Sequence, residues 1–398
     1  MTEGLLKGHD ILVLTASEWK DNAVSNMHIS VLLSETNNVV FVETIGGRLP
    51  RLSEFGRLFR RVMRIVRGPQ HQSRQGLDPR NVYIFSPFAV PIHDNPLIAW
   101  FNRHILVFQI KRLMARRGMK RPIVWFFSPR WLPVIERIDK RLMVFHCVDK
   151  LHYYDPSSRF QRQFEAAVRT ADVVFTPGIL LEEELRVLNA NTHRIGHGCV
   201  AEHLCFTPNE LPNDLAEIPQ PQAIFAGALT NWLDYDLLIR VVKAVPEISF
   251  VLVGYVHALA SRVAVDSLLA LPNVYSVGYK NFADLPAYYD AAAVGILPRD
   301  TENEHTRYCT PTKFFDYLAA GLPCVSTRFA AAEELKAFIM IADTSEDFAA
   351  AIQEAIADDD ETKRAARRAY AAEHSWERQV GHMCEAISQI LRLRDAGP

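Results

Sequence analysis

Short runs of consecutive apolar residues alternate along the chain with longer, more mixed stretches. The first run is DILVLTA, from Asp10 to Ala16, which suits a strand buried on both faces of a parallel sheet. A helix-like stretch, NAVSNMHISVLLSE, leads from it to a second apolar run, NVVFVET. The same alternation continues through NVYIFSP, PIVWFFSP, RLMVFHCVD and ADVVFTP. Strands alternating with helices predict a doubly wound α/β domain. Ligands of such sheets sit outside the carboxyl ends of the strands, so the residues just past each run are the ones to examine.

A second series follows: AIFAGAL, SFVLVGY, NVYSVGY, AVGILPR, PCVST and FIMIAD. Between the two lies FTPNELPNDLAEIPQPQ, with four prolines and little periodicity, which reads as a linker. The expected organisation is an amino-terminal domain over 1–206, a linker over 207–222, a second α/β domain over 223–375 and a terminal helix over 376–398. Two such domains joined by a linker predict a cleft.

Composition narrows this picture in only a few places. A chain of 398 residues is long enough for two domains, each with a sizeable core. Its hydrophobic share of 49% and charged share of 23% are those of a globular protein. The six cysteines form no CxxC pair, which argues against both a zinc site and a disulfide framework. No signal peptide is recognisable at the amino terminus and no apolar run reaches ~18 residues, so a cytoplasmic setting is expected. The net charge of −2 hides a strong asymmetry: Arg48 to Arg121 holds sixteen Lys or Arg against Glu54, Asp78 and Asp94. One face is thus expected to meet an anionic surface.

The segment PTKFFDYLAAGLPCVST, 311 to 327, carries the most specific chemistry. Thr310 is a good N-cap, and Pro311 suits the first helical position. Lys313, Asp316 and Tyr317 share one flank by i, i+3, i+4 spacing, while Phe314, Phe315 and Leu318 face a core. Gly321 ends the helix, and Pro323 prevents its return. A helix amino terminus with a lysine in its first turn suits a diphosphate, and a carboxylate one turn on suits sugar hydroxyls. The alternative is a capped surface helix with an i, i+3 salt bridge.

This segment resembles the donor-site helix of GT-B glycosyltransferases of the family 1 and family 4-like type, Pro-x-Lys-x-x-(Glu/Asp)-Tyr-x-Ala-x-Gly-x-Pro. FAGALTNWLDYDLL, LPNVYSVGYKNFADLPAYYDAAAVGILPR and HSWERQV are similar to other donor-domain segments of that family, and they come in the family's order. RTADVVFTPGILLEEEL and THRIGHGCVAEHLCF fit the end of its amino-terminal domain, and the first half matches more loosely. The resemblance implies two Rossmann-like domains facing a cleft, with the last helix crossing back to the first domain. It places Lys313 on the donor diphosphate and Asp316 on ribose or sugar hydroxyls, with Tyr317 and Thr310 in the same segment. Gly227 and Ala228 would form the loop where backbone approaches the phosphates, and Arg299 would be a further phosphate ligand or a solvated loop residue. One departure stands out. Many retaining family 4 members carry two glutamates separated by seven residues, whereas here Tyr308 occupies the first place and Asp316 the second.

Asp149, just past the run VFHCVD, is the expected catalytic base. It follows a buried strand, and in the similar glucuronosyltransferases of exopolysaccharide assembly an aspartate in this region plays that part. A base there implies inversion at the anomeric carbon. The alternatives for Asp149 are a helix N-cap or a salt bridge with Lys150. His146 reads as a core histidine, and His28 as an acceptor contact or a buried structural residue.

In RLPRLSEFGRLFRRVMRIVRG, Leu52, Phe55, Phe59, Val62 and Val66 recur at helical spacing among Arg57, Arg60, Arg61 and Arg64. A cationic face beside an apolar stripe suits an anionic membrane surface, and PLIAWFNRHILVFQIKRLMARRGMK has the same character. The alternative is a core-packed helix with a solvated basic face. Nucleic acid is not indicated, because no recognition motif accompanies the charge.

The expectation is a glycosyltransferase on the inner membrane face. It would move a sugar from a nucleoside-diphosphate donor, UDP-linked, to a hydroxyl of a lipid-linked or growing-glycan acceptor of cell-surface polysaccharide. No cofactor and no metal are called for, since the isolated DYD at Asp234 to Asp236 sits in the wrong fold for a metal-dependent enzyme. The rival readings are a nucleotide-sugar 2-epimerase on the same fold and a non-catalytic nucleotide-sugar-binding partner of an active transferase.

Overall fold

The computed structural model describes residues 6–19, 24–44, 81–90, 95–150, 157–205 and 211–396. These form two compact units. The first comprises Met1–Pro177, Leu181–Ile195 and Val380–Pro398; the second comprises Gly178–Leu180 and Gly196–Gln379.

Seven strands build the sheet of the first unit: β1 (Asp10–Leu14), β2 (Asn38–Val42), β3 (Val82–Phe85), β4 (Ile123–Phe126), β5 (Leu142–His146), β6 (Val173–Thr176) and β7 (Thr192–Arg194). Their order is β3-β2-β1-β4-β5-β6-β7, and every pairing is parallel. Residues 11–14, 123–126 and 142–146 are buried without alternation, as strands covered on both faces must be. Strand order reverses between β1 and β4, and that reversal opens a crevice at their carboxyl ends.

The second unit repeats the plan with β8 (Gln222–Ala226), β9 (Ser249–Val253), β10 (Val274–Gly278), β11 (Val294–Leu297), β12 (Cys324–Thr327) and β13 (Met340–Ala342). Their order is β10-β9-β8-β11-β12-β13, again all parallel, with the reversal between β8 and β11. One face of this sheet packs Ile224, Val251, Val253 and Leu297 against Phe314, Tyr317 and Leu318; the other packs Phe225, Phe250, Leu252 and Ile296 against Leu238, Val242 and Ile352. These are the two Rossmann-like halves of the GT-B plan.

The second unit begins at Gly196, before the proline-rich stretch that reads as a linker. Part of that stretch is packed rather than extended. Leu215 is buried, and the Asp214 carboxylate accepts from the Tyr288 hydroxyl at 2.8 Å and pairs with Lys280 at 2.6 Å. The helix Trp376–Asp395 starts in the second unit and continues in the first, where Arg141 meets Asp395 at 2.6 Å and Arg394 meets Asp172.

Candidate functional site

The donor-type segment folds as the helix Thr312–Ala320. Its N-cap is Pro311, one residue later than the expected Thr310, and no side chain caps it. The Thr310 hydroxyl is instead buried with no hydrogen-bond partner, 3.2 Å from where a Cβ would stand on Gly178. Gly321 closes the helix in the left-handed conformation at φ 78°, as a C′ glycine does.

Tyr317 does not lie on the polar flank with Lys313 and Asp316. It is fully buried beneath Gly295, whose absent side chain leaves room for the ring: a Cβ there would come within 2.7 Å of it. The Tyr317 hydroxyl accepts from the Ala226 backbone N–H at 3.1 Å. It thereby holds the end of β8, just before Gly227.

Gly227 and Ala228 follow β8 directly, on the carboxyl edge of the sheet at the strand-order reversal. Two close approaches explain why positions 227 and 254 are both glycine. The Lys313 side chain lies across Gly227, so that a Cβ would overlap Cε and stand 2.6 Å from Nζ. On its other side the Gly227 carbonyl abuts Gly254, where a Cβ would lie 2.6 Å from the carbonyl carbon. The backbone is thus bare beside a lysine ammonium.

Arg299 stands past β11, across the same reversal. Its backbone is tied both ways to Thr327, the N–H donating to the hydroxyl at 3.0 Å and the carbonyl accepting from it at 2.8 Å. Its guanidinium donates to the Cys309 thiol at 3.0 Å and lies 5.6 Å from the Trp232 ring centre, while its Nε is buried without a partner. Trp232 in turn stacks flat on His305 at 3.9 Å.

The electrostatics follow from burial. Lys313 is pushed below the usual lysine range by desolvation and by the Arg299 cation, with the Asp316 carboxylate opposing both. Desolvation raises the Asp316 carboxyl to about 7, against the pull of Lys313. The two residues form no ion pair or hydrogen bond among the described residues, so the simple i, i+3 salt bridge is not what this helix presents. Buried polar groups are nearly always satisfied, and the exceptions call for an explanation. Here Arg299 Nε, Thr310 Oγ1, Thr306 Oγ1 and Trp232 Nε1 are all unpartnered, within one cluster of elements around β8, β11 and the helix Thr312–Ala320. Two basic side chains and several unsatisfied polar atoms are thus gathered around the half-buried Gly227 backbone.

The remaining expected residues are placed as follows. Asp149 follows β5 and is half-buried; its Oδ1 accepts from the Lys150 N–H at 2.9 Å. Lys150 sends its ammonium to Glu184 at 2.5 Å, and the helix Ser158–Thr170 is capped by Ser157. His146 lies in the core, stacked on Phe127 at 4.9 Å. His28, half-buried on the helix Ser25–Ser34, has its pKa lowered to about 4 by burial and is neutral at physiological pH. Asp234 caps the helix Tyr235–Ala244 by accepting from Leu237 at 2.8 Å, which gives the Asp-x-Asp motif a structural use. Arg57, Arg60, Arg61 and Arg64 lie outside the described residues. The Trp232–His305 stack, Thr306 and Cys309 were not legible from spacing, though all stand in loops or short turns just past β8 and β11.

Residues 220–358 match the family model "Glycosyl transferases group 1". Over 204 residues the chain is 26% identical to the putative teichuronic acid biosynthesis glycosyltransferase TuaH of Bacillus subtilis (strain 168), covering 49% of this chain and 50% of that one. The chain thus spans about half the length of this curated relative. Among solved structures, it is similar to sucrose-phosphate synthase from Thermosynechococcus elongatus, with a TM-score of 0.68 at 14% identity over 98% of this chain and 100% of that one. Anabaena HepE in complex with UDP and glucose gives 0.64 at 15% identity, over 96% and 99%. These structural likenesses define the class as GT-B in fold. The stretch that matches the Glycosyl transferases group 1 model lies within the second unit.

Proposed function

We propose that this protein is a glycosyltransferase of cell-surface polysaccharide synthesis. It transfers a sugar from a UDP-linked donor to a hydroxyl of a lipid-linked or growing-glycan acceptor. The observation that carries this reading is the set of unpartnered polar groups and two cations around Gly227, inside the segment that matches the family model. Lys313 and Arg299 meet the charge that develops on the departing diphosphate, so the transfer needs no metal for that purpose. Asp316 accepts from ribose or sugar hydroxyls. HepE, similar in fold, is described in complex with UDP and glucose, which supports a nucleotide-sugar donor here.

Asp149 takes the proton of the acceptor hydroxyl, and the anomeric centre inverts. The protein works at the inner membrane face. The helix Pro96–Arg116 supports this, because Leu97, Phe101 and Phe108 are exposed along one stripe that continues into Lys111 and Arg112. Among the described residues no helix is long and apolar enough to cross a membrane.

Incubation with UDP-glucose, UDP-N-acetylglucosamine and UDP-glucuronate, separately, tests the reading. Slow release of UDP from one of them, abolished in Lys313→Ala, is the expected result. An epimerised donor without UDP release would establish the epimerase instead, and tight UDP binding with no turnover on any donor or acceptor would establish a non-catalytic partner.

A further inference from the structure

Arg299 stands just past β11, in a loop, where an arginine side chain ordinarily keeps its full rotamer freedom. Here even its backbone is gripped from two sides. Thr327, the buried last residue of β12, accepts from the Arg299 N–H at 3.0 Å and donates to the Arg299 carbonyl at 2.8 Å. The N–H is shared with the Leu297 carbonyl, also at 3.0 Å. From the other side, the loop after β8 pairs with the same stretch. Leu233 forms an antiparallel bridge with Arg299, the Asp234 N–H donates to the Pro298 carbonyl at 3.0 Å, and the Asp300 N–H donates to the Trp232 carbonyl at 2.9 Å.

The guanidinium is held by weaker means. Its Nη2 donates to the Cys309 sulfur at 3.0 Å, and its central carbon lies 5.6 Å from the Trp232 ring centre. The Cys309 thiol donates in turn to the Thr306 carbonyl at 3.4 Å, which spends its proton there and leaves the sulfur lone pairs for the arginine. A neutral thiol is a weak acceptor. Among the described residues it is nonetheless the guanidinium's only hydrogen-bond partner, and the buried Nε has none. Lys313, whose side chain crosses Gly227, lies within electrostatic range of both Arg299 and Cys309. Arginine, thiol and lysine are therefore neighbours at the reversal between β8 and β11.

We propose that Thr327 and Cys309 are positioning residues for the donor diphosphate. Thr327 fixes where Arg299 leaves the sheet, and Cys309 holds the guanidinium until a phosphate oxygen takes the place of the sulfur. The chemistry of the partners favours that exchange. A bond from a guanidinium to a phosphate is charge-assisted and roughly twice as strong as one between neutral groups, whereas a thiol is easily given up. An arginine already held beside the site has lost its rotamer freedom before the ligand arrives, so that cost does not fall on binding. A carboxylate as resting partner would hold the arginine back from the ligand, and no partner would leave it loose. The thiol lies between these extremes. The inference rests on the reading of this region as a nucleotide-sugar site.

The test is calorimetric titration of the full chain with UDP, in single and double variants whose fold is checked by circular dichroism. Cys309→Ala is expected to weaken UDP binding about fivefold, and Cys309→Ser, whose hydroxyl can fill both hydrogen-bonding roles, to restore most of it. Cys309→Asp weakens it more than about tenfold, because its carboxylate competes with the phosphate for Arg299. Thr327→Val keeps the shape, loses the hydroxyl and costs about fivefold, while Thr327→Ser stays close to wild type. In an Arg299→Gln background neither Cys309→Ala nor Thr327→Val has a further effect, since both act through the guanidinium. A merely structural role would leave their losses undiminished there, and that result would overturn the proposal, as would wild-type affinity in Cys309→Ala. Thermal unfolding of the ligand-free variants reads the contact itself: the effects of Arg299→Gln and Cys309→Ala are expected to be non-additive. Non-additivity with no UDP binding by the wild type would count against the nucleotide-sugar site; UDP binding indifferent to Cys309 and Thr327 would count against this proposal alone.

Discussion

The Lys313 side chain lies across Gly227, its Nζ 2.6 Å from the position a Cβ would take. A backbone with no side chain and a lysine ammonium are thereby held face to face at the carboxyl end of β8. Gly227→Ala forces the lysine away or pushes the loop out. We expect the donor nucleotide to bind at least about tenfold more weakly, ~1.4 kcal/mol, in this variant. Isothermal calorimetry with UDP measures this. Unchanged affinity would mean that the lysine and the glycine do not act together.

The Asp316 carboxyl, raised by burial to about 7 from an ordinary 3.8, makes two consequences of pH. An acid whose folded-state pKa lies above its unfolded value favours the fold while protonated. That contribution is fully present below 3.8 and is lost as pH rises through about 7, so the free protein loses stability over that window. Donor binding runs the other way, since only the ionised carboxylate accepts strongly from two hydroxyls. Between pH 8 and pH 6 the dissociation constant for the UDP-sugar rises about tenfold, and Asp316→Asn flattens the profile. Parallel calorimetry of the two proteins across this range is the check.

Asp149 is expected to act in chemistry and not in donor binding. Asp149→Asn lowers kcat by roughly 10²–10⁴-fold and leaves UDP affinity within about twofold of wild type. Proton NMR of the first-formed product reads the anomeric configuration, with inversion the predicted outcome. A retained configuration, or full activity in the variant, would remove Asp149 from the base's place.

Attachment to anionic membrane is expected to have an electrostatic and an apolar part. Reversing charge at Arg60, Arg61 and Arg64 should release the protein from phosphatidylglycerol vesicles at physiological salt, each cation being worth ~1 kcal/mol near such a surface. Leu97→Ser/Phe108→Ser should weaken what remains. Co-sedimentation measures both, and binding insensitive to salt and to these changes would contradict the membrane role.

Much of the fold was legible because a parallel strand covered on both faces has to be a continuous apolar run, and twelve such runs became β1–β6 and β8–β13. The thirteenth, β7, reads Thr-His-Arg, too short and polar to announce itself. In the donor segment, Lys313 and Asp316 sit where helical spacing puts them. Tyr317 does not, because Gly295 on a strand 22 residues earlier opens the space its ring fills, and one helix's periodicity carries no record of that. Thr310 missed the cap by one position, since Pro311 takes it.

The most direct measurement of the central claim is calorimetric titration of the full chain with UDP, beside Lys313→Ala and Arg299→Gln. Binding in the wild type, weakened about tenfold or more in each variant with no change in secondary structure, is the predicted result. UDP affinity that is absent, or equal in all three proteins, would contradict a nucleotide-sugar site around Gly227.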